Sequence, residues 1–220
     1  MKRLSLMAVL AVAALTVALG AITASASAAV LPEFTVNTKL TATFAKSKLN
    51  TSGAEIQSTK GGTTNSELVS KQAGKVHIVF EGSTLGGKEC HSTGTGEKEG
   101  VITVPVEYHT VHGVGGSTYL ILFLVTEEVK ISCKFLATKV VVESGSTILG
   151  KIGPSKTKTT SFTLEVNAPE GKQEITEYEN DSGVAVKTEL KLKVDGISAK
   201  GSQEDDAASI TTESATELIN

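Results

Sequence analysis

The chain has almost no arginine. Of its 21 basic residues only Arg3 is one, and Arg3 lies in an N-terminal stretch that reads as removable. Without arginine, a protein lacks the planar bidentate clamp that phosphate and carboxylate sites favour. Once Lys2 and Arg3 are set aside, 19 lysines face 24 acids, a charge of −5. Such a chain has no basic footprint for nucleic acid. Tryptophan is absent and the aromatics are six Phe and three Tyr, too few to line a sugar cleft well. Cysteine occurs twice and proline four times. Beyond the leader the longest apolar strand pattern, Tyr119 to Val125, is seven residues, far short of the ~20 of a spanning helix.

What the chain does have is a leader. Met1-Lys2-Arg3 is positive, residues 4–24 are apolar or small, and Ala24-Ser25-Ala26-Ser27-Ala28-Ala29 offers A-x-A sites ending at Ala26 and Ala28. This is the three-part layout of a secretory signal peptide. The expected division is residues 1–28 as signal peptide and 29–220 as a single β domain. An uncleaved anchor is the alternative, because the apolar stretch is long for a signal core. The doubled small-residue site and the following Pro32 favour cleavage, and no cysteine stands nearby to carry a lipid. The expected location is secreted, extracellular or cell-envelope associated, with no membrane as partner after leader cleavage. Cys90 and Cys133 would then pair as a disulfide in an oxidising space, in preference to a metal pair or a reactive thiol.

Period-two alternation dominates the rest. Residues 34–44 alternate Phe34, Val36, Thr38, Leu40, Ala42, Phe44 against polar partners, and residues 75–80 and 129–135 do the same. Such alternation predicts strands with one wet face. Residues 101–112 read as two extended pieces about Pro105, at an edge or bulge. The run from Tyr119 to Val125 is apolar on both faces and belongs where both are covered. Further strands are expected at residues 140–143, 147–152, 161–166, 173–178 and 184–194. Gly61-Gly62, Gly86-Gly87, Gly115-Gly116, Gly153-Pro154, Asp181-Ser182-Gly183 and Asp195-Gly196 punctuate them as turns. No stretch after the leader carries a sustained 3.6-residue stripe. The expected fold is all-β, a two-layer antiparallel β-sandwich, with a closed β-barrel as the alternative. Residues 46–64 and 201–208 read as frayed.

Several pieces recur in order along the chain: Leu31-Pro32-Glu33-Phe34, Lys88-Glu89-Cys90-His91-Ser92-Thr93-Gly94, Cys133 at a strand end, and Ile148-Leu149-Gly150-Lys151-Ile152. Thr160-Ser161-Phe162-Thr163-Leu164 leading to Gly171-Lys172-Gln173, and the closing Glu217-Leu218-Ile219, complete the set. In these the chain resembles a family of small exported all-β proteins of actinobacteria with no known activity. The resemblance implies secretion, β structure and one disulfide, and brings no catalytic residues; the segment from His109 to His112 departs from it.

The chemical motifs are weak. Gly82-Ser83-Thr84-Leu85-Gly86-Gly87-Lys88 satisfies G-x-x-x-x-G-K, but Glu89 stands where magnesium needs Ser or Thr, and no helix follows. The same glycines place Ser83 one position too early for G-x-S-x-G. His91, His109 and His112 are the metal candidates. On a flat strand His109 and His112, three apart, point to opposite faces, so only a bulge or turn could bring them to one ion. Glu107, Glu127, Glu128 and Glu143 could supply paired carboxylates for glycoside cleavage. The expected function is a non-catalytic, exported binding or structural protein without cofactor, meeting an extracellular or cell-wall partner. The alternatives are a secreted hydrolase with an unrecognised site, or a carbohydrate-binding module marked by a groove beside Tyr108, Tyr119 or Tyr178.

Overall fold

The structure, a computed structural model, describes residues 30–51, 53–94 and 98–220; the leader expected over residues 1–28 lies outside them. The first strands are β1 (Glu33–Phe34), β2 (Leu40–Phe44), β3 (Lys46–Asn50), β4 (Glu55–Ser58), β5 (Lys60–Leu68), β6 (Ala73–Glu81) and β7 (Thr84–Leu85). Next come β8 (Lys88–Ser92), β9 (Val101–Gly113), β10 (Tyr119–Val125), β11 (Val129–Cys133), β12 (Lys139–Val142), β13 (Thr147–Gly153) and β14 (Thr159–Glu165). The chain ends with β15 (Glu177–Glu179), β16 (Ala185–Lys187), β17 (Leu190–Val194), β18 (Ile197–Asp206), β19 (Ser209–Thr216) and β20 (Leu218–Ile219).

These strands form two closed antiparallel rings of eight. Ring one runs β2-β5-β6-β9-β10-β13-β14-β19 and back to β2; ring two runs β3-β4-β7-β8-β11-β12-β17-β18 and back to β3. Both follow chain order, so the chain climbs from ring one to ring two and returns, four times over. Most crossings take a few residues, and Gly82, Gly100, Gly145 and Ala207 turn such corners at positive φ. Only β14 and β17 are far apart in sequence, separated by an excursion that carries β15 and β16. The whole is an up-and-down barrel with a corner half-way along each strand.

The all-β antiparallel expectation holds, and of the two arrangements foreseen the closed barrel is the one found. The β9–β10 pairing, seven register positions long, closes ring one, and β8–β11 closes ring two, so the open edges of a sandwich are gone. One apolar cluster runs through both rings, from Phe34, Leu40 and Phe44 to Cys90, Ile131, Val140 and Leu192. Close packing requires small residues opposite large ones. Gly61 on β5 faces Phe44 on β2 and Phe80 on β6, whose rings meet at 5.3 Å. A Cβ at Gly61 would lie 2.2 Å from Phe44 Cζ, so nothing larger than glycine fits beneath these rings.

The turn signals at Gly86-Gly87 and Asp195-Gly196 are two-residue hairpin turns with positive φ at both positions, 56° and 75° in the first, 51° and 83° in the second. That is the conformation whose twist matches flanking strands. The phosphate-loop look-alike is therefore the β7–β8 hairpin. The doubly apolar β10 is buried on both faces as expected. Tyr119, Ile121 and Val125 point into the barrel, whereas Leu120 and Leu122 pack with Val111 and Leu149 under Ile175 and Tyr178 of the excursion.

Other expectations are corrected. Residues 46–64 are β3, β4 and the start of β5, and residues 201–208 belong largely to β18; they read as frayed because several inward positions are polar. Residues 101–112 form one strand, not two pieces. Pro105 is tolerated because β10 ends beside it, where the Pro105 carbonyl accepts Thr126 N at 3.1 Å. Residues 173–178 contribute only the start of β15, and residues 184–194 split into β16 and β17. Val36 falls in a bend and is exposed.

Candidate functional site

In ring two the inward alternation breaks at Ser47, Ser58, Gln203 and Asp205. Ser47 on β3 and Asp205 on β18 are directly paired across the ladder, and Gln203, two residues from Asp205, shares its face. Gln203 Nε2 donates to Asp205 Oδ1 at 2.7 Å and to Ser47 Oγ. Ser58 and Ser83 add a second buried pair, Oγ to Oγ 2.8 Å. Ser47, Ser58, Gln203 and Asp205 border a cavity of about 80 Å³ with otherwise mainly apolar walls that include Phe44, Ile56 and Phe80. Burial pushes the Asp205 carboxyl up to about 6, against hydrogen bonds from Gln203 and Ser47 that favour the anion. Space of this size holds a few waters, whereas organic ligands occupy roughly 300–1,000 Å³. The barrel interior is a packed core with one polar corner.

The ring-one end is covered. β1 and β20 pair as a two-stranded ribbon, placing Phe34 and Leu218 in the core, with Phe34 edge-on to Phe162 at 5.6 Å. His112 Nε2 meets Val30 O at 3.2 Å and its ring lies 5.4 Å from Tyr119, whose hydroxyl donates to Asn220. Thr110 Oγ1 donates to Pro32 O. His112 is thus a buried anchor for the entering chain.

The other candidates are scattered. His109 points outward and pairs with Glu107 at 3.5 Å, so His109 and His112 do take opposite faces of β9. His91 stands on β8, 4.0 Å from Glu99. Among the described residues no group of three or more His, Cys, Asp or Glu side chains is arranged to hold a metal ion. Glu143 pairs with Lys193 at 2.5 Å. An outer groove of about 290 Å³ gathers His77, Lys98, Glu127 and Glu128. There His77 Nδ1 lies 3.1 Å from Asn65 Nδ2, and Glu128 pairs with Lys130 at 3.7 Å. Tyr108 and Tyr119 are buried, and burial raises the Tyr108 hydroxyl to about 12; Tyr178 packs on the outer apolar cluster.

Cys90 and Cys133 form the disulfide, with Cα atoms 4.0 Å apart. Cys90 lies within β8, not in a loop, directly opposite Cys133 in the pairing that closes ring two. The bridge therefore joins strand to strand across a pairing of three register positions.

Beyond Cys133 the strand ends, and Phe135, which alternation would turn inward, turns out. Phe135 is 85% exposed at φ 59°. Among the described residues, six non-glycine positions have positive φ, and Phe135 is the one aromatic. A bulky side chain is disfavoured there by roughly 1 kcal/mol or more. Lys88 Nζ and Lys134 Nζ lie 5.9 and 5.8 Å from the ring centroid. Leu136 follows, 38% exposed, and Ile197 at the β17–β18 tip is 74% exposed. Asp195 Oδ1 accepts Lys139 N at 2.8 Å, tying the β17–β18 turn to the β11–β12 loop.

No family model, curated protein or solved structure matches the chain. The residues that sequence reasoning missed are Ser47, Gln203 and Asp205 inside and Phe135 and Ile197 outside. For Phe135 the pattern carried no signal: the alternation of residues 129–135 runs through Lys134 with no turn residue, so alternation alone cannot place the strand's end at Cys133.

Proposed function

We propose that this is an exported, non-catalytic protein of the cell envelope or extracellular space that acts by surface contact, and that the ring-two hairpin end makes the contact. The observation that carries this reading is Phe135, an exposed aromatic ring held in a disfavoured backbone conformation between two ammonium groups. Strained, exposed apolar groups are costly to stability and concentrate where function needs them. The disulfide fits an oxidising compartment. In the described residues no helix is long and apolar enough to cross a membrane.

The test has two parts. The chain, expressed with its own leader, is expected in the culture supernatant starting at Ser27 or Ala29; an intact Met1 in the membrane fraction would refute export. The recovered protein should sediment with isolated cell envelopes. Phe135→Ser with Ile197→Ser should stay in solution, while Val69→Ser with Val114→Ser, exposed valines at the ring-one end, should sediment like the parent. Equal sedimentation of all three would end the contact reading. A second reading, a secreted hydrolase, rests on the outer groove that gathers Glu127, Glu128 and His77. Turnover of a generic ester or glycoside substrate, abolished by Glu127→Gln or Glu128→Gln, would replace the first reading with it.

A further inference from the structure

Resting on that reading, we infer that the surface met by the ring-two end is a lipid bilayer rich in anionic headgroups. The tips at this end combine two features. Phe135 and Leu136 project apolar groups beyond the end of β11, and Ile197 does so from the first residue of β18 at the hairpin tip. Lys88 and Lys134 flank the Phe135 ring, and Lys139 closes the same loop. An aromatic ring flanked by lysines suits the headgroup boundary: the ring enters the acyl edge and the ammonium groups reach back to phosphate. The acids at this end are Glu55 beside the β7–β8 turn, Glu89 on the adjoining strand, and Asp195, whose carboxylate already accepts the Lys139 backbone N–H. Three lysines and three acids balance over the whole end, so the attraction for an anionic surface comes from the two ammonium groups that stand beside the Phe135 ring itself. Aliphatic Leu136 and Ile197 favour acyl chains over a sugar polymer, which would need open ring faces for stacking. The lack of a second long apolar run bears on spanning a bilayer, not on lying against one; a membrane partner departs from the expectation of none after leader cleavage.

The exported protein should co-sediment with vesicles of equal parts phosphatidylglycerol and phosphatidylcholine, and at least tenfold more weakly with phosphatidylcholine alone. Phe135→Ser, or Lys88→Glu with Lys134→Glu, should each lower binding to the anionic vesicles at least tenfold; high salt should weaken it for the parent. Far-UV circular dichroism and thiol titration establish that each variant is folded with its disulfide intact. Because Phe135 and both lysines are exposed, all should be. Binding to isolated envelopes but not to vesicles would overturn the lipid assignment and leave the contact reading standing, with an anionic wall polymer as the partner. Binding to neither would overturn both. Equal binding to both vesicle types would overturn the role of the lysines and with it the anionic partner.

Discussion

Ring one and ring two share strand order and a continuous core, yet they differ in almost every other respect. Ring one has an interior of Leu40, Phe44, Tyr108 and Phe162, and its end is covered by the β1–β20 ribbon. Ring two carries Ser47, Gln203 and Asp205 on its inner face, is bridged by the disulfide, and ends in hairpins that expose Phe135 and Ile197. In ring one the interior is mainly apolar, and its buried Thr110 and His112 are accounted for by their bonds to the backbone of the covering segment. In ring two, where an aromatic is held outside in a strained backbone, packing does not account for the residue, and that is where function is to be sought.

The largest expected effect follows from cutting the bridge in ring two. Cys90→Ala with Cys133→Ala frees a loop whose ends are 43 residues apart, worth about 4 kcal/mol on the chain-entropy model. That is roughly 10 °C of melting temperature for a domain of this size. Native-state hydrogen exchange should show protection lost first in β8 and β11 while β9 and β10 stay protected. Equal loss in both rings would mean that they open as one unit.

The converse perturbation loads ring one. Gly61→Val drives a side chain into the Phe44 ring and the Val79 carbonyl and should cost about 3 kcal/mol, at the upper end for overpacking. A melting temperature within a degree of the parent would show that the interior is looser than its geometry.

The polar corner of ring two predicts an unusual pH dependence. Asp205 holds its proton up to about 6 in the fold, against an ordinary 3.8. The folded state binds the proton more tightly than the unfolded chain, so this group's destabilisation is absent below about pH 4. It grows as pH rises and is complete above about pH 6, amounting to at most on the order of 3 kcal/mol. Urea midpoints should fall between pH 4 and 7 for the parent and more shallowly for Asp205→Asn. A parallel pair of curves would place the titrating carboxyl elsewhere.

How much was legible in the sequence divides along the same line. In β2, β6 and β11 the inward positions are apolar and the outward ones largely polar, so alternation reveals strand and face together, while β10, apolar throughout, reveals a strand covered on both faces. In β3, β4 and β18 lysine, serine, glutamine and aspartate stand on both faces, and a strand of that kind looks like a frayed loop. Closure into a barrel was not legible either, because sandwich and barrel strands share one pattern and differ only in whether the last edge finds a partner. The disulfide was foreseen from two cysteines and a leader, but its setting was not, since the glycines before Cys90 belong to a tight hairpin and not to a loop. Phe135 was assigned inward because alternation continues one step past the strand's true end.

The smallest expected change in stability is the most informative about function. Phe135→Gly relieves a positive φ that glycine adopts freely and removes the exposed ring. Stability should rise by up to about 1 kcal/mol, while sedimentation with isolated envelopes falls at least tenfold. A purely structural Phe135 would give the same rise with binding unchanged, and that result would contradict the assignment of the ring-two end as the working surface.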